Sequence, residues 1–199
     1  CEALAEAHAL GIVHRDLKSS KIPLTRPPAG SFLVKVLDFG ISKAADDEGD
    51  VNLTSTAAVF GSPAYMSPEQ IRSAKHVDHR TDIWAMGIVL YELITASLPF
   101  DGDNASAMLA AISADPPFPL AKFGIMAPPG FEQAIGAALA KHRDHRTPSI
   151  AAFAGSIAPF GGYGAQASMN AIQRSLARSS SRGNALQPPP EAPAAQVST

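Results

Sequence analysis

The stretch HRDLKSSKIPL, residues His14–Leu24, decides how the rest of the chain is interpreted. It begins with charged residues and ends in the short apolar piece IPL. TRPPAGS at Thr25–Ser31 is rich in turn-forming residues, and FLVKVL at Phe32–Leu37 has the apolar and β-branched residues of a strand. The sequence therefore predicts a small β-hairpin, with Asp16 at one end and Asp38 at the other.

Helical patterns cover most of the remaining chain. Cys1–Leu10 has alanine and leucine at helical spacing, and Gly11 is expected to end this helix. The strongest helical pattern runs from Thr81 to about Thr95 and is apolar enough for a buried core helix. A polar segment, Ile41–Ala58, is predicted to be a mobile surface loop. Further helices are predicted at Ala105–Ser113, Gly130–His142 and Ser149–Ile157.

The composition changes near residue 160. Beyond it the chain is rich in Gly, Ser, Ala, Gln and Pro, and has few apolar side chains to offset the entropy of ordering. The sequence therefore predicts a globular part at 1–160 and a disordered tail at 161–199.

Overall composition excludes several classes of protein. The chain has 199 residues, 46% of them hydrophobic, and a net charge of −2, which gives no sign of binding to nucleic acid. A single cysteine excludes a disulfide framework, and no apolar run reaches the roughly 18 residues of a membrane span. The first residues do not have the pattern of a signal peptide. Because the chain does not begin with methionine and starts with Cys1 inside a helical pattern, we expect it to be a fragment of a longer protein.

Several motifs together resemble the large lobe of a protein kinase. These are HRDLK, LDFGISK, GSPAYMSPEQ, DIWAMGIVLYELITASLPF and the late Arg146, in the order and spacing of that family over roughly Cys1 to Phe160. Lys18 is typical of serine/threonine kinases, and GSPAYMSPEQ and VLDFGISK resemble the bacterial branch. The resemblance implies a mainly α fold with a small β-hairpin, in a kinase-like lobe.

The resemblance also implies a reaction, the transfer of the ATP γ-phosphoryl group with Mg²⁺. Asp16 would accept the proton of the substrate hydroxyl, and Lys18 would contact the transferred phosphate. Asp38 would hold the magnesium ion that bridges the β- and γ-phosphates. Phe39 would pack beneath Asp38, and Gly40 would let the backbone turn.

Supporting roles follow from the same resemblance. His14 would orient the loop, and Arg15 is typical of kinases whose activation loop is ordered when phosphate pairs with an arginine. Ser62 would keep a hydroxyl that bridges to Asp16 and Lys18. The candidate phosphorylation residues in the activation loop are Thr54, Ser55 and Thr56.

Three further residues match structural positions of the family. Glu69 and Arg146 would form a buried ion pair, and Asp82 would accept hydrogen bonds from the backbone of the catalytic loop. Two histidine pairs have a spacing that suits a metal, but no cysteine or carboxylate matches them, so we expect surface histidines. These pairs are His76/His79 and His142/His145.

Lys21 departs from the family pattern. The family has an asparagine there, whose oxygen holds a second magnesium ion, whereas an ammonium has no lone pair and repels a cation. Lys21 could instead turn toward the phosphates or pair with Asp38. Neighbouring Ser19, Ser20 and Pro23 are also unusual, which suggests relaxed constraint or a degraded gene copy.

The leading hypothesis is a bacterial-type serine/threonine kinase lobe that acts on protein substrates in the cytoplasm, within a longer chain. That longer chain would supply the glycine-rich loop, strand lysine and helix glutamate, which this sequence lacks. The alternatives are a pseudokinase that serves as an interaction module and a truncated remnant.

Overall fold

The computed structural model describes residues 1–26, 33–38, 63–73, 75 and 77–185. Within these ranges the chain forms seven α-helices and one two-stranded sheet, so the prediction of a mainly α fold with a small β-hairpin is confirmed. The helices are α1 (Glu2–Ala9), α2 (Pro68–Arg72), α3 (Arg80–Thr95), α4 (Ala105–Ala114), α5 (Phe131–Ala138), α6 (Ile150–Ile157) and α7 (Ala165–Ala185).

The hairpin is shorter than the sequence predicts. β1 (Leu24–Thr25) pairs antiparallel with β2 (Leu33–Val34), and the first residue of β1 faces the last residue of β2. Past the paired strands, the Leu37 amide donates to the Lys21 carbonyl oxygen at 2.9 Å. The open end of the hairpin therefore brings Asp38 beside the loop that precedes β1.

The first helix ends as its sequence predicts. α1 stops at Ala9, and Gly11 has a φ of 75°, the left-handed conformation that glycine adopts without steric cost. The Gly11 amide donates to the His8 carbonyl oxygen at 3.0 Å, which satisfies one of the last free carbonyls of the helix. The chain then turns directly into the His14–Leu24 segment.

Helix α3 is the centre of the fold. Its apolar residues face in several directions, so it separates two hydrophobic clusters. Gly87 lets α5 approach closely, because a Cβ there would lie 3.0 Å from the Ala138 Cβ. One cluster contains Leu4, Leu17, Ile83, Phe153 and Ile172, and the other contains Trp84, Ile88, Tyr91, Phe100, Ile112 and Leu120.

No helix of the described residues has the length and apolar character needed to cross a membrane.

The prediction of a disordered tail from residue 161 is wrong for residues 165–185, which form α7. α7 packs against α1 and α6, and the Ile172 side chain is 1% exposed within the core, with Met169 packed against the same cluster. The mean composition of this segment is polar. One apolar side chain per turn is nevertheless enough for a helix when a neighbouring helix covers that stripe.

Replacement of Ile172 by alanine tests whether α7 belongs to the folded unit. We expect Ile172→Ala to lower the free energy of unfolding of the 199-residue chain by about 2–5 kcal/mol, because it opens a cavity beneath α7. Urea unfolding measures this loss. Gln173→Ala, at the exposed next position, is the control and should change stability by less than about 0.5 kcal/mol. Equal stability of the two variants would contradict the packing of α7.

Candidate active site

A buried carboxylate anchors the loop that contains Asp16. Asp82, in the first turn of α3, is 1% exposed. Its Oδ2 accepts a hydrogen bond from the His14 amide at 2.8 Å, and its Oδ1 accepts one from the Arg15 amide at 2.9 Å. Arg15 has a φ of 63°, a left-handed conformation that is strained for a residue other than glycine. The two hydrogen bonds that these amides donate to Asp82 therefore hold a strained turn against the core helix.

Gln70 holds the other side of the same turn. Its Nε2 donates to the Arg15 carbonyl oxygen at 2.8 Å. Gln70 is itself fixed, because it forms a capping box with Ser67 at the start of α2, and its Oε1 accepts from the Thr81 hydroxyl at 2.7 Å. Both peptide groups that flank Arg15 are thus held by side chains from outside the loop.

His8 adds a third contact to Asp82. Its Nε2 lies 2.8 Å from Asp82 Oδ2, and its side chain is 9% exposed. The carboxylate can only accept, so the imidazole donates from Nε2. Within the described residues, His8 Nδ1 is buried without a hydrogen-bond partner. No sequence signal marks His8 as a site residue, because a histidine in the last turn of α1 matters only once Asp82 is known to lie beside it.

His14 connects the two ends of the hairpin. It is fully buried, and its Nε2 lies 3.0 Å from the Leu37 carbonyl oxygen, while its Nδ1 lies 3.3 Å from the Asp16 amide nitrogen. A carbonyl only accepts and an amide only donates, so His14 carries its hydrogen on Nε2 and accepts at Nδ1. One imidazole thereby links the residue before Asp38 to the backbone of Asp16.

Lys21 lies between the two aspartates. Its Nζ donates to Asp16 Oδ2 at 2.7 Å and lies 3.5 Å from the backbone carbonyl oxygen of Asp38. Lys21 therefore pairs with Asp16, whereas the sequence suggested the carboxylate of Asp38. Asp38 is exposed and has a φ of 51°, and Lys18 is half-buried two residues after Asp16. The structure thus brings Asp16, Lys21 and Asp38 together at the open end of the hairpin.

A tyrosine links this loop to α3. The Tyr65 hydroxyl donates to Glu92 Oε2 at 2.5 Å and lies 2.9 Å from the Ser19 hydroxyl. Burial raises the pKa of Tyr65 above its ordinary value, and the hydrogen bond to Glu92 raises this pKa further. Ser19, which departs from the family pattern, has a defined partner here.

Glu69 and Arg146 form a bidentate ion pair, with Nη1 to Oε1 at 2.5 Å and Nη2 to Oε2 at 2.8 Å. The Arg146 side chain is fully buried and also donates to the carbonyl oxygens of Ala140 and Arg80. Burial acts to raise the pKa of Glu69, but the hydrogen bonds and charge of Arg146 outweigh it, and this pKa lies below its ordinary value. The pair joins α2 to the start of α3 and to the chain after α5.

Several predicted site residues lie outside the described residues, and their roles stay predictions. The described chain has no group of three His, Cys, Asp or Glu side chains that could hold a metal. The rings of His142 and His145 lie 5.1 Å apart, and His142 is exposed. The residues outside the described ranges are Phe39, Gly40, Thr54, Ser55, Thr56, Ser62 and His76.

Comparison with known families identifies the family of this chain. The model of the protein kinase domain matches residues 1–123, more than half of the chain. The chain belongs to the protein kinase family. The match spans Asp16, Asp38 and Asp82, so the residues that meet at the hairpin and those that anchor the loop lie within the kinase domain.

The similar proteins are bacterial serine/threonine protein kinases, as the motifs predict. The kinase Pkn1 of Myxococcus xanthus is 43% identical over 153 residues, which cover 77% of this chain and 22% of Pkn1. PknB of Mycolicibacterium smegmatis is 39% identical over 151 residues, 76% of this chain and 23% of PknB. The chain thus spans less than a quarter of the length of these two relatives.

The fold is also similar to a solved kinase structure. The crystal structure of Rad53 1–466 in complex with AMP-PNP matches with a TM-score of 0.52 and 26% identity, and the match covers 73% of this chain and 36% of that one. The match supports the kinase-like fold of the described residues.

Loss of one partner from the Glu69–Arg146 pair should destabilise the lobe. We expect Arg146→Met to lower the free energy of unfolding by about 3–5 kcal/mol, because Glu69 is left without its counter-charge. Chemical denaturation of the 199-residue chain measures this. Arg143→Met is the control and should cost less than about 1 kcal/mol, because the Arg143 side chain is 42% exposed and its Nη1 lies 3.8 Å from Asp78 Oδ2. Similar losses in both variants would show that the buried pair has no special role.

Proposed function

We propose that the chain is the large lobe of a serine/threonine protein kinase that transfers the γ-phosphoryl group of ATP to a hydroxyl of a protein substrate. The observation that supports this proposal most directly is the pair of hydrogen bonds that the His14 and Arg15 amides donate to Asp82. This contact fixes the backbone immediately before Asp16. A catalytic group held in place before substrate binds needs no reorganisation during the reaction.

Asp16 is the proposed general base. It takes the proton of the attacking hydroxyl as the new O–P bond forms and the bond between the γ-phosphorus and the β-γ bridging oxygen breaks, which releases ADP. Lys18 carries a positive charge toward the transferred phosphate. Because phosphoryl transfer depends mostly on positioning and charge neutralisation, these two residues suit the reaction.

Asp38 is the proposed ligand of a magnesium ion. Its carboxylate is exposed at the open end of the hairpin, and Mg²⁺ prefers oxygen ligands. One or two protein carboxylates suffice, since Mg²⁺ usually keeps several waters and substrate phosphates as its other ligands. The ion would supply charge neutralisation at the β- and γ-phosphates.

The family also suggests how the site would be regulated and where it would act. Arg15 would pair with a phosphate on Thr54, Ser55 or Thr56, and Ser62 would bridge to Asp16 and Lys18. Use of ATP and of protein substrates is consistent with a cytoplasmic lobe.

A second candidate function is a pseudokinase that binds partners without transferring phosphate. The ion pair of Lys21 with Asp16 favours it, because the ammonium takes a hydrogen-bonding position on the carboxylate that should accept the substrate proton. Both side chains are more than four-fifths buried, so water screens this pair less than a surface pair.

Phosphotransfer by the complete gene product that contains these 199 residues separates the two candidates. With radiolabelled ATP, Mg²⁺ and a protein substrate, we expect transfer to serine or threonine, and we expect Asp16→Asn to lower kcat by about 10²–10⁴-fold. Asp144→Asn is the matched control, because Asp144 belongs to a second His-Arg-Asp sequence, is 62% exposed and pairs with Arg80 and His142, away from Asp16.

The outcomes are distinct. Transfer that is lost in Asp16→Asn and kept in Asp144→Asn supports the enzyme. Absence of transfer in the unmodified protein, with AMP-PNP still bound, contradicts it and supports the pseudokinase.

A further inference from the structure

The backbone of Lys21 is held by hydrogen bonds on both of its polar groups. Lys21 ends a turn of 3-10 helix at Ser19–Lys21, in which its amide donates to the Lys18 carbonyl oxygen at 2.9 Å. Its own carbonyl oxygen accepts from the Leu37 amide at 2.9 Å. The Lys21 backbone is therefore held by the turn that precedes β1 and by the segment that follows β2, so its side chain starts from a defined place beside Asp16 and Asp38.

The Lys21 ammonium lies close to two oxygens at the open end of the hairpin. Its Nζ is 2.7 Å from Asp16 Oδ2 and 3.5 Å from the backbone carbonyl oxygen of Asp38, and its side chain is 17% exposed. An oxygen ligand at this position would attract a divalent ion, but an ammonium offers no lone pair. At about 4 Å, repulsion between an ammonium and a divalent ion weakens binding by about 30-fold even at the dielectric constant of water.

We infer that Lys21 replaces the second divalent ion of the site, so that nucleotide binds here with one divalent ion, at Asp38. The inference rests on the proposed function, because it concerns the same nucleotide site. Lys21 supplies one positive charge toward the phosphates and contacts Asp16 directly. Lys21 is then a residue that sets the metal stoichiometry of the site.

Lys35 provides a matched comparison for charge. It is an exposed lysine that directly follows β2, so its removal changes net charge by the same amount as removal of Lys21, at a position outside the turn that contains Lys21. Lys21→Met separates two effects of Lys21→Asn, since methionine removes the repulsion but offers no oxygen ligand.

The test counts Mn²⁺ ions bound to the complete gene product at saturating AMP-PNP. Electron paramagnetic resonance measures free Mn²⁺, and a separate equilibrium titration measures bound AMP-PNP. We expect one Mn²⁺ per bound nucleotide in the unmodified protein and in Lys35→Asn. We expect two in Lys21→Asn, with the second bound at least about 30-fold more tightly than in the unmodified protein. Lys21→Met should gain less than Lys21→Asn.

The result also distinguishes failure of this inference from failure of the proposed function. Two Mn²⁺ ions in the unmodified protein, or no gain in Lys21→Asn, would overturn the role of Lys21 while nucleotide binding stands. One Mn²⁺ per nucleotide without phosphotransfer would support the role of Lys21 and overturn the enzyme. Absence of AMP-PNP binding would overturn both.

Discussion

The buried carboxylate of Asp82 is the interaction on which the candidate site depends. Removal of a carboxylate from water costs several kcal/mol unless hydrogen bonds compensate, and here the amides of His14 and Arg15 and the imidazole of His8 all contact it. The same contacts stabilise the left-handed backbone of Arg15, which is otherwise strained by about 1–3 kcal/mol. The loop and the core helix therefore depend on each other: the loop amides donate to the buried carboxylate, and the carboxylate stabilises the strained backbone of the loop.

Helix α3 can hold this carboxylate because it is itself fixed by the surrounding fold. Apolar clusters pack on different sides of α3. Arg146 donates to the carbonyl oxygen of Arg80 in the first turn of α3, and it also pairs with Glu69 of α2. Gln70 of α2 in turn donates a hydrogen bond to the Arg15 carbonyl oxygen in the loop. The buried ion pair is thus connected to the site through two short paths, α3 and α2, without direct contact with Asp16.

The sequence predicts the parts of this site that depend on local spacing. The hairpin, the core helix and the identities of Asp16, Asp38 and Asp82 follow from motifs, and the kinase family that they indicate is confirmed. The contact between His8 and Asp82, 74 residues apart, requires knowledge of how α1 lies against α3. The partner of Lys21 also depends on the final hairpin geometry. Helix α7 is missed because its mean composition is polar, although Ile172 is placed to pack into the core.

The most direct measurement of the central claim is hydrogen exchange at the amides of His14 and Arg15. In the unmodified chain these amides should exchange as slowly as amides in the middle of α3, because both donate to a buried carboxylate. In Asp82→Asn, where the amide nitrogen of asparagine cannot accept, at least one of them should exchange about 10- to 100-fold faster relative to α3. Fast exchange of both amides in the unmodified chain, or unchanged exchange in Asp82→Asn, would contradict the anchoring of the loop by Asp82.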